Sequence, residues 1–334
     1  MMRDFLRYDR PVRAILPADP RNPTPIAGEL PDPIPAPGEV LVAVEAAGLN
    51  HADLHQMRGN YPPPAGESEV PGLECAGVVL EGEKGSPGQP GTRVMALVGG
   101  GAHATRAAIP VGQLMPLPDN LSFIEGAAIP EAALTSWVNL VVEGGLQAGE
   151  TVLVTGATGG MGSFTVQLAR ELGARVLAAG RSRERLELLR DLGIDEVCLE
   201  GANLAGQVQE ATNGHGADLV LDYTAGPEIG SHLAALANRG RLVVVGTVGS
   251  RKAEVDLGLI LRRRLKVVGS VLRARPREEK ARLTADFAAF ALPRLLDGRL
   301  RPVVDRVFPL ERAAEAYKAL GQGGAFGKII LAMA

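Results

Sequence analysis

The sequence predicts an α/β protein of two domains, one a doubly wound parallel sheet of six strands and the other mostly antiparallel β structure. Three observations lead to this prediction. The chain has 334 residues, more than a single hydrophobic core usually holds. Between residues 125 and 272, short apolar strands alternate with helical patterns, which is typical of βαβ units. Before residue 125, the apolar runs are short and end at glycine or proline, which indicates antiparallel strands.

Composition and charge narrow the classes of partner. The formal net charge is −3, so we expect no basic face for nucleic acid or for an anionic membrane. No run approaches the ~20 apolar residues of a membrane span. Cys75 and Cys198 are too few for a disulfide framework, so we expect a cytoplasmic protein. Residues 1–14 carry arginines without the apolar core of a signal peptide, and we assign them no role.

The antiparallel domain is predicted from two separate parts of the chain. Eight prolines lie between Pro17 and Pro37, which excludes helix and predicts an ordered loop of extended or turning backbone. Strands are predicted at residues 40–46, 77–80, 92–97 and 104–109. Near the end of the chain, a helix at 278–297, a strand at 303–309, a helix at 311–320 and a strand at 328–333 are expected to return to this domain. Its predicted extent is therefore 1–124 with 273–334, and the other domain is 125–272.

The parallel sheet is predicted from six strands in the second domain. A helical stretch at 124–144 precedes them. The strands are expected at residues 151–155, 175–179, 196–199, 217–222, 241–246 and 265–271, which is enough for a complete doubly wound sheet of the Rossmann type.

A glycine-rich turn follows the first of these strands and opens a helix. In the run TVLVTGATGGMG at 151–162, glycines allow a tight turn, close approach of a phosphate to bare backbone, and close packing of helix on strand. The alternative is an ordinary strand-to-helix turn. The residues expected to bind the pyrophosphate of a dinucleotide are Ala157, Thr158, Gly159, Gly160, Met161 and Gly162; Ala157 stands where the common pattern has its first glycine.

The end of the second strand indicates which dinucleotide is bound. About 20 residues past the glycines, an acid normally bonds the ribose 2′-hydroxyl of NAD, and here Gly180 stands in its place. Arg181 and Ser182 follow and suit the 2′-phosphate of NADP, so NADPH is the predicted cofactor. The alternative is that the arginines, Arg183 and Arg185 especially, form the solvated first turn of a helix.

Three further positions follow later strands at the edge where such sheets bind cofactors. Gly226, Gly246 and Thr247 are predicted to contact the dinucleotide there. Arg273 follows the sixth strand and has two alternatives, contact with the cofactor phosphates or exposure to solvent.

Several motifs resemble one family at once. They are AGLNHADL at 47–54, RGNYPPP at 58–64, PGLECAGVV at 71–79, AIPEAALT at 128–135 and the turn at 151–162. From Pro11 to the C-terminus the chain resembles the medium-chain dehydrogenase/reductase superfamily, in its zinc-independent quinone oxidoreductase branch, the relatives of zeta-crystallin. The resemblance implies a GroES-like catalytic β domain and a Rossmann domain that binds NADPH.

The resemblance also bears on metal binding. It places Asn50, Leu73 and Glu131 where zinc-dependent relatives have their three ligands, and asparagine and leucine do not ligate zinc usefully. Ala52 replaces the hydroxyl that relays protons in those relatives. His51, His55, Glu74 and Cys75 offer another set on paper, although the histidines are more simply polar residues near a cleft. We therefore expect no metal.

The resemblance implies four residues near the reacting groups. Asn50 and Asp53 would line the cleft, Tyr61 would overhang the substrate, and Thr135 would lie against the cofactor. Asn50 and Tyr61 are neutral donors that can hold an oxygen without titrating. Three of the four have a structural alternative. Asp53 could be a helix or turn cap, Thr135 could bond only to backbone, and Tyr61 could be a ring packed on prolines.

Without metal or general base, the expected acceptor is one whose own conjugation carries negative charge. The prediction is an NADPH-dependent reductase of quinones. The alternatives are an enone, enal or enoyl-thioester reductase, and a non-enzymic protein that only binds the nucleotide. We also expect a homodimer through the last Rossmann strand, residues 265–271, because an apolar edge strand left bare invites aggregation.

Overall fold

The computed structural model describes residues 11–19, 22–83 and 85–333, which form two compact units. The first unit comprises the described residues up to Glu131, Arg273–Leu296, and those from Pro302 onward. The second comprises Ala132–Leu272 and Asp297–Arg301. Residues 125–131, assigned from sequence to the parallel domain, thus pack with the first unit, and 297–301 pack with the second. The extension at 1–10 lies outside the described residues.

The elements are as follows. In chain order the strands are β1 (Val12–Asp19), β2 (Asn22–Leu30), β3 (Glu39–Gly48), β4 (Glu74–Glu81), β5 (Arg93–Leu97), β6 (Arg106–Pro110), β7 (Leu114–Pro116), β8 (Thr151–Val154), β9 (Arg175–Gly180), β10 (Glu196–Leu199), β11 (Ala217–Asp222), β12 (Leu236–Val244), β13 (Lys266–Gly269), β14 (Val304–Pro309) and β15 (Lys328–Ala332). The helices are α1 (His51–Met57), α2 (Phe123–Gly126), α3 (Pro130–Trp137), α4 (Gly160–Glu171), α5 (Arg183–Glu187), α6 (Leu204–Ala211), α7 (Ile229–Ala235), α8 (Leu257–Arg263), α9 (Arg277–Leu296) and α10 (Ala313–Gln322).

The first unit is built on a sheet in the order β14-β15-β3-β4-β5-β7, with β6 also paired to β3. Every pairing in it is antiparallel except that of β14 with β15. Alternate residues such as Val42, Ile109 and Leu331 are fully buried and form one core. This confirms the mostly antiparallel β structure, and β14 and β15 bring the end of the chain into that sheet.

The proline-rich segment differs from its prediction, because part of it forms the antiparallel pair β1 and β2. Pro17 lies opposite Pro25 in that pair. Proline lacks the N–H group that a ladder hydrogen bond needs, but its fixed φ suits extended backbone. A two-stranded ribbon tolerates such a missing donor better than the interior of a wide sheet does.

The second unit contains an all-parallel sheet in the order β10-β9-β8-β11-β12-β13. The chain starts in the middle at β8, moves outward to β10, and then crosses to β11 and continues to β13. This order confirms the doubly wound sheet. The strand predicted at 265–271 is shorter, since Gly269 pairs with Val244 and β12 ends there.

The helical stretch predicted at 124–144 is interrupted. Pro130 opens a new helix, α3, because a residue without N–H is tolerated in the first turn but not in a helix interior. A π-helical segment, Val138–Glu143, follows it. In the part of the chain that the structure describes, none of the helices combines the length and the apolar character needed to cross a membrane.

Candidate functional site

The glycine-rich turn has the geometry of an anion site. Strand β8 is buried throughout, and Gly156 then takes the left-handed region with φ +58. The N–H of Ser163 donates to the Gly159 carbonyl at 2.9 Å, as the first backbone bond of α4. The N–H groups of Gly160, Met161 and Gly162 precede that bond and have no acceptor within the helix. They give the turn a cluster of donors suited to a pyrophosphate.

Two glycines of the turn have different surroundings. A Cβ on Gly162 would lie 2.5 Å from the Ala157 Cα, so this glycine permits close packing of α4 on the turn. A Cβ on Gly159 would meet only the Gly156 carbonyl oxygen, at 3.5 Å, so that position borders open space. The residues present therefore fit a bound dinucleotide phosphate.

The residues predicted to bind the 2′-phosphate follow β9 and have different contacts. Arg181 is exposed, and among the described residues its side chain has no hydrogen bond or ion pair. The Ser182 hydroxyl accepts the Arg185 N–H at 3.4 Å and so caps α5. Arg183 lies 3.9 Å from Glu187 in an exposed pair, as its solvated alternative predicted. Contact of Arg181 with a 2′-phosphate next to Gly180 stays a prediction.

The loops after β11 and β12 lie at the same edge of the sheet, since β11 pairs with both β8 and β12. Gly226 has φ +80, which favours glycine. A Cβ on Gly246 would lie 2.7 Å from the Tyr223 carbonyl oxygen. The exposed Thr247 follows. The fold thus brings Gly226, Gly246 and Thr247 to the carboxyl edge that carries the glycine-rich turn.

Thr135 lies within α3 and is 6% exposed. Its backbone carbonyl accepts from the Asn139 side-chain amide at 2.7 Å. Thr135 belongs to the second unit, whereas Asn50, Asp53, Tyr61 and Arg273 belong to the first.

The first unit contains a buried ionic cluster, which we call the lysine cluster and define as Lys328, Glu74, Asn50 and Glu131. The Lys328 Nζ lies 2.5 Å from Glu74 Oε1 and donates to Asn50 Oδ1 at 2.7 Å. The Asn50 amide donates to Glu74 Oε1 at 2.9 Å. The backbone N–H of Glu131 donates to Glu74 Oε2 at 2.9 Å. All four residues are at least nine-tenths buried.

The lysine cluster keeps one carboxyl protonated. Burial, and next the charge of Glu74, raise the pKa of Glu131 to about 8. At neutral pH the Glu131 carboxyl therefore holds a proton. From the sequence, Glu131 is recognised only as a ligand position and Lys328 is not recognised at all. The one signal for Lys328 is a lone cation at the start of an otherwise apolar strand, β15.

Asp53 takes its structural alternative. It is fully buried, and its two carboxylate oxygens accept the N–H groups of Asn50 at 2.7 Å and Gly72 at 2.9 Å. It therefore fixes the start of α1 and the neighbouring turn. The prediction that Asp53 lines a cleft has no support from this geometry.

Arg273 does not take the solvent-facing alternative, and its contact with the cofactor phosphates stays a prediction. It is 5% exposed, which contradicts the solvent-facing one. Its guanidinium donates to the carbonyl oxygens of Gly99 and Tyr61 and to the Gln56 side chain, at 2.8, 3.1 and 2.6 Å. It also lies 5.0 Å from the centre of the Tyr61 ring. Within the first unit Arg273 therefore positions Tyr61.

Tyr61 is partly buried, and its hydroxyl has no hydrogen bond to any residue that the structure describes. Burial, and next the charge of Glu131, raise the pKa of this phenol, while Arg273 lowers it. The phenol stays protonated at neutral pH and can donate to a ligand oxygen.

The side chains at the zinc-ligand positions do not fit a metal. The Asn50 oxygen already accepts from the Lys328 ammonium, and Leu73 is an apolar residue 1% exposed. Across the described ranges, no group of three or more His, Cys, Asp or Glu side chains is arranged to hold a metal ion.

Comparisons with known proteins agree with this architecture. A family model described as an alcohol dehydrogenase GroES-like domain matches residues 36–119, and one described as a zinc-binding dehydrogenase matches residues 160–289. The quinone oxidoreductase-like protein 2 of Bos taurus is 32% identical over 327 residues, which are 97% of this chain and 93% of the relative.

Two further matches bear on the reaction. The quinone oxidoreductase from Thermus thermophilus, solved alone and in complex with NADPH, has a TM-score of 0.81 and 36% identity, over 96% of this chain and all of that one. A phenolphthiocerol/phthiocerol polyketide synthase polypeptide of Mycobacterium tuberculosis is 32% identical over 304 residues, which are 90% of this chain but 14% of the synthase polypeptide.

Proposed function

Because the chain belongs to the quinone oxidoreductase branch of the medium-chain dehydrogenase/reductase family, an oxidoreductase family, we propose that it reduces quinones with NADPH and without a catalytic metal. The observation that carries this proposal is the Lys328 ammonium bonded to both Asn50 and Glu74. A cation held there by the side chains makes a second, metallic cation electrostatically unfavourable. Without a metal, the acceptor itself must carry the negative charge that develops as it is reduced.

The cofactor assignment rests on two groups of the second unit. The N–H groups at the start of α4 would hold the pyrophosphate, and Arg181 would bind the 2′-phosphate beside Gly180. An exposed arginine near the N-terminus of a helix, with no partner among the described residues, favours an anionic ligand. When bound, NADPH supplies a hydride to the acceptor.

The first unit supplies hydrogen bonding and a proton. The Tyr61 phenol would donate to an oxygen of the acceptor, which gains negative charge as it is reduced. Glu131 carries a proton at neutral pH, and the ionised form of this carboxyl acts on the pKa of Tyr61. Reduction of a quinone to a quinol adds one hydride and one proton. We assign the proton to Glu131, which recovers it from water.

A second acceptor class has its own observation. Most of the chain matches a segment of a polyketide synthase. An enoyl thioester or a conjugated enone therefore remains the alternative acceptor. Like quinones, these acceptors are electron-poor and conjugated, so they too need a hydrogen bond from Tyr61 to their oxygen. They differ from quinones in the shape of the pocket that they require.

We also propose a cytoplasmic homodimer. Both cysteines are free and buried, which suits a reducing compartment. At the open edge of the parallel sheet, Val267 is 49% exposed and Leu261 of α8 is 77% exposed. Pairing this edge with that of a second copy would cover both. A monomer mass by light scattering at micromolar concentration would contradict the dimer.

The proposed reaction is tested by following NADPH absorbance with a quinone, a conjugated enone and a saturated aldehyde, before and after treatment with a chelator. We expect the quinone to react fastest at a rate that the chelator leaves unchanged. A faster enone would favour the alternative acceptor. Stoichiometric zinc whose removal abolishes the rate would overturn the metal-free mechanism. This outcome needs testing because one matching family is described as zinc-binding.

A further inference from the structure

A second buried ionic cluster lies in the second unit and has no part in the reaction proposed above. We call it the histidine cluster and define it as His232, Asp222 and Glu200. His232 of α7 is fully buried. Its Nδ1 lies 3.0 Å from Asp222 Oδ2, and its Nε2 lies 3.1 Å from Glu200 Oε2. A single imidazole thus contacts two carboxyl groups from the ends of two strands, β10 and β11.

The position of Asp222 connects this cluster to a loop predicted to bind the cofactor. Asp222 Oδ1 accepts the backbone N–H groups of Thr224 at 3.0 Å and Ala225 at 2.7 Å. Ala225 has φ 48, which is an unfavourable conformation for a residue with a side chain. Gly226 comes next, with φ +80. The Asp222 carboxylate therefore helps to hold this loop in its conformation, together with the backbone N–H of Gly249, which donates to the Thr224 carbonyl at 2.8 Å.

Glu200 connects the cluster to the other part of the proposed cofactor site. Its backbone N–H donates to the carbonyl of Gly180 at 2.9 Å, next to the proposed 2′-phosphate cation Arg181. The second carboxylate oxygen, Oε1, is buried and has no hydrogen bond to the described residues. Glu200 is thus held at this edge mainly by its contact with His232.

The proton on His232 is what allows both contacts. A neutral imidazole has one N–H donor, and the imidazolium has two. Burial lowers the pKa of His232, but the hydrogen bonds that its ring donates to Asp222 and Glu200, together with the charges of these carboxylates, outweigh burial and raise the pKa to about 9. Nearby, burial raises the pKa of Cys198 to about 11, so this thiol stays neutral. Asp222 and Glu200 are the charged groups that face His232.

We propose that the His232 imidazolium is a positioning residue for the dinucleotide, bridging β10 and β11 so that the loop at 223–226 and the end of β9 keep their binding geometry. Loss of its proton leaves one carboxylate facing an imidazole nitrogen that has no hydrogen to donate. The carboxylate and the lone pair of that nitrogen then repel each other. Either the loop at 223–226 or the end of β9 then loses the contact that holds it. Cofactor affinity should therefore fall as the pH rises through the range in which His232 deprotonates. This inference rests on the proposed binding of NADPH at this edge.

The test is NADPH binding by calorimetry from about pH 7 to about pH 10, a range that spans the His232 titration. In the unmodified protein we expect the dissociation constant to rise by about tenfold, the low end of the loss of one charge-assisted hydrogen bond. Glu200→Gln should remove most of this rise, because its amide donates to a neutral imidazole. Glu196→Gln, on the exposed part of the same strand, is the matched control and should keep the rise.

His232→Asn provides the second arm. It should weaken NADPH binding at neutral pH and raise the KM for NADPH while leaving kcat at saturating NADPH nearly unchanged. Circular dichroism checks that the variant folds. If His232→Asn does not fold, the pH dependence of NADPH binding by Glu200→Gln still tests the inference. A pH profile of Glu200→Gln identical to that of the unmodified protein would overturn the inference.

Binding of NADH separates this inference from the proposed function. If the protein bound NADH better than NADPH, or failed to reduce quinones, the proposed function would be wrong. The pH dependence and its removal by Glu200→Gln would then be read with NADH, because the loop at 223–226 and the glycine-rich turn serve either dinucleotide.

Discussion

The lysine cluster of the first unit and the histidine cluster of the second each combine one basic side chain with two acidic residues in a buried environment. They differ in where the proton stays. In the lysine cluster, burial and the charge of Glu74 raise the pKa of Glu131 to about 8, and a carboxyl remains neutral. In the histidine cluster, the pKa of Asp222 is lowered and that of His232 is raised to about 9.

The hydrogen bonds that Asp222 accepts, first from His232 and then from backbone N–H groups, explain this difference. Although burial is the largest influence on the pKa of Asp222 and works against its charge, His232 and the N–H groups of Ala225 and Thr224 stabilise the carboxylate. On Glu131, the first two influences, burial and Glu74, both favour the neutral form. The lysine cluster therefore holds a proton that it can give up near neutral pH. The histidine cluster holds a proton that maintains the contacts of His232 with Asp222 and Glu200.

Removing the cation of the lysine cluster should have the largest effect. Lys328→Met leaves the Glu74 carboxylate buried without its counter-charge, and we expect the free energy of unfolding to fall by about 3–5 kcal/mol. Chemical denaturation measures it. Lys318→Met, at an exposed position of α10, is the control and should change stability little. A loss below about 1 kcal/mol for Lys328→Met would mean that the cluster is not held by this ion pair.

Arg181→Ala tests the cofactor side of the comparison. Loss of a charge-assisted contact of about 1.5–3 kcal/mol should raise the KM for NADPH by roughly ten- to a hundredfold and leave the KM for NADH nearly unchanged. Arg183→Ala, whose side chain pairs with Glu187, should affect neither. Equal weakening of both cofactors by Arg181→Ala would rule out a phosphate contact.

Glu131→Gln should make the protein more stable at alkaline pH. A carboxyl whose pKa is raised on folding keeps its proton in the folded state while the unfolded state releases it above about pH 4.5. Stability is therefore lost as the pH rises from that value to about 8. Glutamine avoids this loss, so we expect a gain of at least about 1.4 kcal/mol above pH 8, the equivalent of one pKa unit.

Glu210→Gln, at an exposed position of α6, is the matched control for that experiment. Thermal or chemical unfolding as a function of pH gives the result. Identical pH profiles for Glu131→Gln and the unmodified protein would show that Glu131 is ionised in the folded state.

Tyr61→Phe should have the smallest effect. It removes one hydrogen bond to the acceptor, worth about 1 kcal/mol, and should lower kcat with quinone by roughly fivefold without changing NADPH affinity. Unchanged turnover in Tyr61→Phe would assign the acceptor contact to another group.

Local patterns make much of this molecule predictable. The turn at 151–162 joins a buried strand to a helix within a few residues, so its spacing alone predicts the geometry that Gly159 and Gly162 show. The strand at 217–222 is likewise predicted by a short apolar run bounded by polar residues. Each depends on neighbours in the sequence.

The charged clusters are not predictable in the same way. Lys328 and Asn50 are 278 residues apart, and His232 and Glu200 are 32 apart. No periodicity or motif relates such pairs. The solvent-facing alternative for Arg273 is wrong for the same reason, because its partners Gln56, Tyr61 and Gly99 come from distant parts of the chain that only the fold brings to it.

We expect the lysine cluster to hold a carboxyl proton on Glu131 at neutral pH. Infrared titration tests this most directly, since a protonated carboxyl has a C=O stretch that a carboxylate lacks. We predict a buried carboxyl band at neutral pH that disappears as the pH is raised through about 8 and that is absent from Glu131→Gln. A protein with no such band at neutral pH, or a band that persists in Glu131→Gln, would contradict it.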